Sequence, residues 1–175
     1  MDVFSGEWIY RVFFLRNTLQ VDLAFVHDEQ FRARAPSFKL VFGKSLAPIY
    51  NQPKHVDVLA GWTWLYALHV RSSFARKKYW QTEYYLSGMR DHIFSMMCLR
   101  YNLPTSDGRG IDNLPQELKA LMEPSLVRSI EPEELCRAFD RTIDVFLLEI
   151  GYADLHERLS HGLRALNGHV KGMLQ

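Results

Sequence analysis

Asp22 is the residue whose type and setting most directly suggest chemistry. It stands within LQVDLAFV, residues 19–26, where apolar side chains alternate as they do along a β-strand. On this pattern Asp22 shares one face of the strand with Ala24 and Val26. Because burying an isolated carboxylate is costly, Asp22 must be solvated, paired with a cation or bound to a metal ion. The local sequence leaves these three alternatives open.

A second group of polar side chains is predicted to lie on one face of a helix. Glu83, Ser87 and Arg90 are spaced by four and three residues, and Tyr84 neighbours them. Such a face could line a pocket for a polar substrate, with Glu83 accepting hydrogen bonds or acting as a base. The alternative is a network of ion pairs to the preceding helix.

Arg71 is the candidate for a functional positive charge in that preceding helix. It could contact a phosphate group, or it could join His69 in pairing with Glu83 across the two helices. The basic run at residues 76–78 is different, because it ends the predicted helix, where the helix dipole favours positive charge.

Composition limits the classes of protein to which the chain can belong. Of its 175 residues, 47% are hydrophobic and 13% aromatic, which indicates a globular chain. The 21 Lys and Arg nearly balance the 20 Asp and Glu, so we expect no nucleic-acid partner. Neither a secretory signal nor a membrane-spanning stretch is expected. Cys98 and Cys136 are predicted to be buried free thiols, which indicates a cytoplasmic protein.

The hydrophobic periodicity changes near residue 53 from two residues to 3.6. We therefore predict an α+β fold, with a small antiparallel sheet fragment over residues 1–52 and an antiparallel bundle of four to five helices over 53–175. The predicted strands are 7–15, 19–26 and 38–42, the first two forming a hairpin. The main helices are predicted over 56–77, 79–101, 131–150 and 155–174, with a short one that Asn113 caps together with Gln116.

Several blocks of the sequence occur in an order that resembles a known group of enzymes. They are VDLAFV at 21–26, FKLVFG at 38–43, GWTWLYALHVRSSFARKKYWQTEYYLSGMRDHI at 61–93, GRGIDNLP at 108–115 and PSLVRSIEPEEL at 124–135. Together they resemble the C-terminal portion of nucleotidyltransferases of the DNA polymerase β-like superfamily, which includes the aminoglycoside and lincosamide nucleotidyltransferases.

The resemblance implies a function for the candidate residues. In that superfamily a Gly-Ser or Gly-Gly turn binds the triphosphate, and an Asp-x-Asp pair with a third carboxylate holds two Mg²⁺ ions. Asp22 matches the third carboxylate. The helical domain supplies contacts to the hydroxyl-bearing acceptor, which implies such roles for Glu83, Tyr84 and Arg90. Arg71 would then contact the nucleoside triphosphate.

The remaining catalytic motifs of that superfamily do not occur in the sequence. It contains no Gly-Ser or Gly-Gly pair and no Asp-x-Asp. A single carboxylate binds Mg²⁺ weakly, because the ion dehydrates reluctantly. We therefore expect a chain that begins after its own catalytic motif and transfers no nucleotide alone. It would be a degenerate or truncated transferase, or a binding module for a partner that carries the catalytic half. An open sheet edge further predicts a homodimer or another covering partner.

A third hypothesis comes from the end of the chain. Arg164 and His169 fit the Arg-x4-6-His spacing of helical-bundle ribonucleases of the family abbreviated HEPN. The spacing is short enough to arise by chance, and Gly168 next to the histidine indicates a fraying helix end.

Overall fold

A three-stranded antiparallel sheet is followed along the chain by five α-helices, which confirms the predicted α+β fold. The structure is a computed structural model that describes residues 1–50, 54–153 and 155–174. The chain divides into two compact units, Met1–Gln52 and Pro53–Gln175. We call them the sheet unit and the helical unit.

The sheet unit contains the strands β1 (Asp2–Ser5), β2 (Trp8–Phe14) and β3 (Gln20–Phe25), in the order β1-β2-β3. The predicted hairpin is confirmed as the antiparallel pair of β2 and β3, in which Val12 lies opposite Asp22. Asn17 supports the turn between them by accepting a hydrogen bond from the amide of Leu19 at 3.2 Å. Side-chain acceptors of this kind favour tight turns.

The third strand lies at the N-terminus, so the prediction of a strand over residues 38–42 is wrong. Gly6, at a φ of 59°, reverses the chain directly before β2 and brings β1 alongside it. Closing such a short turn costs little conformational entropy. The segment 38–42 is far from the hairpin in sequence, and Val41 and Phe42 within it are exposed and outside any strand. Local closure therefore decides which apolar segment joins the sheet.

The helical unit contains five helices. They are α1 (Val56–Ala75), α2 (Tyr79–Arg100), α3 (Gln116–Met122), α4 (Pro132–Gly151) and α5 (His156–Gly172). Pro132 occupies the first turn of α4, where a missing amide proton costs nothing. The predicted cap of α3 is wrong. Asn113 belongs to a separate 3₁₀ turn, and Pro115 precedes α3 with no side-chain cap.

The core of the helical unit lies where α2 and α4 pack on α1 and α5. Its largest fully buried side chains include Leu59, Leu86, Met89, Ile93, Phe139, Ile143 and Phe146. Cys98 and Cys136 are both free and buried, which confirms the prediction for the two thiols. Among the described helices, none has the length and apolar character needed to cross a membrane.

An ion pair joins the end of α2 to the end of α4. Arg100 donates from Nε and Nη2 to the two carboxylate oxygens of Glu149, at 3.1 and 2.9 Å. Glu149 is only 4% exposed, and the Arg100 guanidinium lies over the ring of Tyr152 at 4.2 Å. Two parallel hydrogen bonds and a covering ring make this a geometrically demanding contact.

A second ion pair attaches the segment before α4 to that helix. Glu134 accepts hydrogen bonds from Arg137 at 2.6 and 2.7 Å and from the amide of Arg128 at 2.9 Å. Arg137 also donates to the carbonyl of Leu126 at 2.9 Å. The hydrogen bonds from Arg137 lower the pKa of Glu134 to about 2, so this carboxylate stays ionised in mild acid.

We expect Arg100→Met to lower the free energy of unfolding by about 3–5 kcal/mol, because Glu149 would stay buried without its cation. Changing Glu149 to Met as well should recover much of that loss. Arg141→Met is the matched control, since Arg141 and Asp144 form a half-exposed pair whose loss costs about 0–1 kcal/mol. Urea unfolding followed by circular dichroism measures all four proteins. Equal losses in the two single variants would contradict the role given to Glu149.

Candidate functional site

Two clefts meet along α2 and share Asp91 and His92. The first cleft, of about 330 Å³, is lined by Tyr66 of α1 and by Glu83, Tyr84, Ser87, Asp91 and His92 of α2. The second cleft, of about 530 Å³, lies between α2, Lys54 and the loop over residues 104–108. Both volumes fall within or near the range of small-molecule sites.

The wall of the first cleft depends on a glycine. A Cβ at Gly88 would lie 2.3 Å from the ring of Tyr66, so only glycine lets that ring rest on the backbone of α2. Tyr66 is further held by edge contact with Tyr85, at 5.5 Å between ring centroids, and by His92 at 5.4 Å. The cleft therefore has a wall whose aromatic ring is fixed on three sides.

The predicted pair Glu83 and Arg90 is brought together, as an ion pair of 3.1 Å within α2. Arg90 is buried and also donates to the carbonyl of Ser125 at 3.2 Å. Its guanidinium is thus occupied by the fold, and Glu83 lines the first cleft while accepting from it. The alternative network to α1 is not formed, since His69 stacks on the ring of Tyr85 instead, at 4.7 Å.

Tyr84 lines the first cleft with an exposed ring, but Arg71 lies elsewhere. Arg71 and His169 line an open groove of about 520 Å³ between α1 and α5. Arg164 does not line that groove, and five residues along a helix separate two side chains by about 140°. Arg164 and His169 therefore lie on different faces of α5, and the arginine that shares a groove with His169 is Arg71.

Asp22 lies exposed on β3, and the side-chain amide of Gln20 donates to both of its carboxylate oxygens, at 3.0 and 2.9 Å. The partner that the structure shows for this exposed carboxylate is therefore the neutral amide of Gln20. Within the part of the chain that the structure describes, no three His, Cys, Asp or Glu side chains converge to hold a metal ion. A single carboxylate does not fit a site for two Mg²⁺ ions.

His92 is the residue of the clefts that sequence reasoning missed. Its Nε2 is buried and has no hydrogen-bond partner among the described residues. Burial lowers the pKa of His92, the Lys54 ammonium lowers it further, and the Asp91 carboxylate acts in the opposite direction. Nine residues along α2 place His92 about 180° from Glu83, so the predicted face of Glu83, Ser87 and Arg90 gave no signal for it.

Comparisons with known proteins leave the family of the chain open. No protein family matches the sequence, and neither a curated protein nor a solved structure does. The resemblance to nucleotidyltransferases therefore stays a prediction, and the structural evidence for function lies in the clefts.

We expect the His92 imidazole to titrate below its ordinary pKa of 6.5, with opposite responses to its two charged neighbours. Lys54→Gln should raise the pKa of His92, and Asp91→Asn should lower it further, because each removes one Coulomb interaction. Two-dimensional ¹H–¹³C NMR of the imidazole measures this, with the signal assigned from His92→Gln. Lys78→Gln is the control, since Lys78 lies about 20 Å away along α2. Shifts of the same sign in both variants would contradict the opposite effects of Lys54 and Asp91 on the pKa of His92.

Proposed function

We propose that the chain is a nucleotidyltransferase-like protein whose helical unit binds a small polar acceptor and which transfers no nucleotide by itself. The observation that carries this proposal is the first cleft. There Glu83, Tyr84, Ser87 and Asp91 open onto one space beside the fixed ring of Tyr66. A few convergent polar groups on a partly aromatic surface are typical of small-molecule sites.

The lining indicates what chemistry such an acceptor has. Glu83, Asp91 and Ser87 can accept hydrogen bonds from hydroxyl groups, and Glu83 is the candidate base for one of them. The Asp91 carboxylate and the faces of Tyr66 and Tyr84 also favour a ligand with an ammonium group. A hydroxyl-bearing molecule with one or more amino groups fits this combination.

The absence of transfer by this chain alone rests on Asp22. Nucleotide transfer with two Mg²⁺ ions needs several carboxylates around the ions, and Asp22 is a single exposed one that is bonded to Gln20. Any nucleoside triphosphate and Mg²⁺ site would need the other carboxylates from a longer gene product or from a second chain. We place the protein in the cytoplasm, where its acceptor and any such partner would meet it.

The test is isothermal titration calorimetry with kanamycin and lincomycin, one acceptor from each class that the resemblance names. We expect one of them to bind, and Tyr84→Ala and Asp91→Asn to weaken that binding by about tenfold each, through loss of a stacking or charged contact. Arg141→Gln, on an exposed part of α4, is the control. We also expect no nucleotide transfer from ATP with Mg²⁺.

Each part of this proposal can fail separately. Transfer by the purified chain would overturn the inactivity, whereas failure of both acceptors to bind would overturn the role of the first cleft.

A second candidate function is a docking module for a partner that carries the catalytic half, and the sheet unit favours it. Ala33 is the one apolar side chain of that unit that is buried among its described residues, while Phe4 and Phe14 are 71% and 75% exposed. Exposed apolar surface on a small sheet indicates a covering partner, either a second copy or a different chain. Light scattering coupled to size-exclusion chromatography checks this. A dimer that Phe4→Ser converts to a monomer would support it, and a monomeric parent protein would count against self-association.

A further inference from the structure

The second cleft carries two opposite charges that the fold leaves unused. Lys54 precedes α1 and Asp91 lies on α2, and both line this cleft. Among the described residues, neither the Lys54 ammonium nor the Asp91 carboxylate takes part in any ion pair, with the other or with a third group. The Lys54 ammonium lowers the pKa of His92 and the Asp91 carboxylate raises it. The cleft therefore holds an exposed cation, an exposed anion and the His92 imidazole.

The remaining walls of the second cleft are firmly held. The Ser95 hydroxyl lies 2.8 Å from the carbonyl oxygen of Asp91 and 2.9 Å from that of Thr105, so its one proton can be donated to α2 or to the loop. A Cβ at Gly110 would lie 2.3 Å from the carbonyl oxygen of Pro104, so the loop packs closely on itself. The loop that lines the cleft is thus already formed, which reduces the entropy lost on binding, while Lys54 and Asp91 are exposed in the cleft.

The other charged group of this lining is already partnered. The Asp107 carboxylate pairs with Arg109 of the same loop at 3.3 Å. Thr105 and Ser106 add hydroxyl groups to the lining, and these can donate or accept. Among the described Lys and Asp residues that line the second cleft, Lys54 and Asp91 are therefore the two without an ion-pair partner.

We propose that the second cleft binds a small zwitterion, with its ammonium end at Asp91 and its carboxylate end at Lys54, as a free amino acid would present them. A purely anionic ligand would face the Asp91 carboxylate, and a purely cationic one would leave Lys54 unmatched. An uncharged ligand would remove both charges from water without pairing either. A zwitterion gives each charge a charge-assisted hydrogen bond and keeps the occupied cleft electrically neutral.

This inference does not rest on the proposed acceptor site. Lys54, Thr105 and Ser106 line the second cleft and not the first, whereas Glu83 and Tyr84 line the first and not the second. Variants at these positions therefore separate the two sites, and only Asp91 affects both.

The experiment is NMR titration of the full chain with four probes, using the imidazole signal of His92 and the amide signals of residues 104–108. The probes are two zwitterions, glycine and γ-aminobutyrate, and their half-ligands, acetate and methylammonium. We expect one zwitterion to shift these signals in a saturable way and each half-ligand to bind at least about tenfold more weakly, because it forms one charged contact instead of two.

Two variants and two controls complete the test. Lys54→Met and Asp91→Asn should each weaken zwitterion binding by about tenfold. Tyr84→Ala, in the first cleft, and Lys78→Met, at the start of α2, should leave it unchanged. The absence of saturable shifts with both zwitterions would overturn the proposal. Equal binding of acetate and glycine, or binding that survives Lys54→Met, would do the same.

Discussion

The close approach of α1 to its neighbouring helices is the constraint on which the candidate site depends. Tyr66 lies against α2 where Gly88 has no side chain, and Trp64 lies in the same way against α5 at Gly162, where a Cβ would come within 2.4 Å of the ring. Side chains two positions apart on a helix point in roughly opposite directions. Trp64 and Tyr66 therefore contact neighbouring helices on opposite sides of α1. Of these two rings, Tyr66 also lines the first cleft, beside His92.

Buried charges determine which polar side chains of α2 are held by other parts of the fold. On α2, Arg90 donates hydrogen bonds to Glu83 and to the carbonyl of Ser125. At the C-terminal end of α2, Arg100 donates to Glu149 of α4. A buried charge must have its hydrogen bonds satisfied, so the partners of the buried Arg90 and Glu149 are determined by the fold. Glu83 consequently serves both purposes, since it neutralises Arg90 and lines the first cleft. Among the described residues Asp91 has no ion-pair partner, and it lines both clefts.

Most of the fold and part of the candidate site could be predicted from the sequence. Physical reasons explain why the other elements could not. The helices α1, α2 and α4 could be located closely because each is 20 residues or more long, and α4 adds a strongly amphipathic pattern. Strands carry fewer residues, and the third strand was misplaced because a glycine turn at Gly6 outweighs apolar content. Glu83 and Ser87 are four residues apart and share a helix face, which their spacing predicts. The second cleft could not be predicted, because Lys54 and the loop over 104–108 come close to α2 only through tertiary packing, which no local sequence pattern indicates.

The two units differ in what they offer chemically. On the sheet unit, Asp22 is exposed to water and bonded to a neutral amide, so it lacks the converging charges that stabilise a transition state. The helical unit has an aromatic wall, a partly buried imidazole and acidic residues that line a defined space, which are features of ligand sites. Groups that contact a ligand equally before and during reaction contribute affinity but no rate acceleration. In the function proposed above, binding on the helical unit is therefore independent of transfer, and the proposed partner would supply the converging carboxylates that transfer needs.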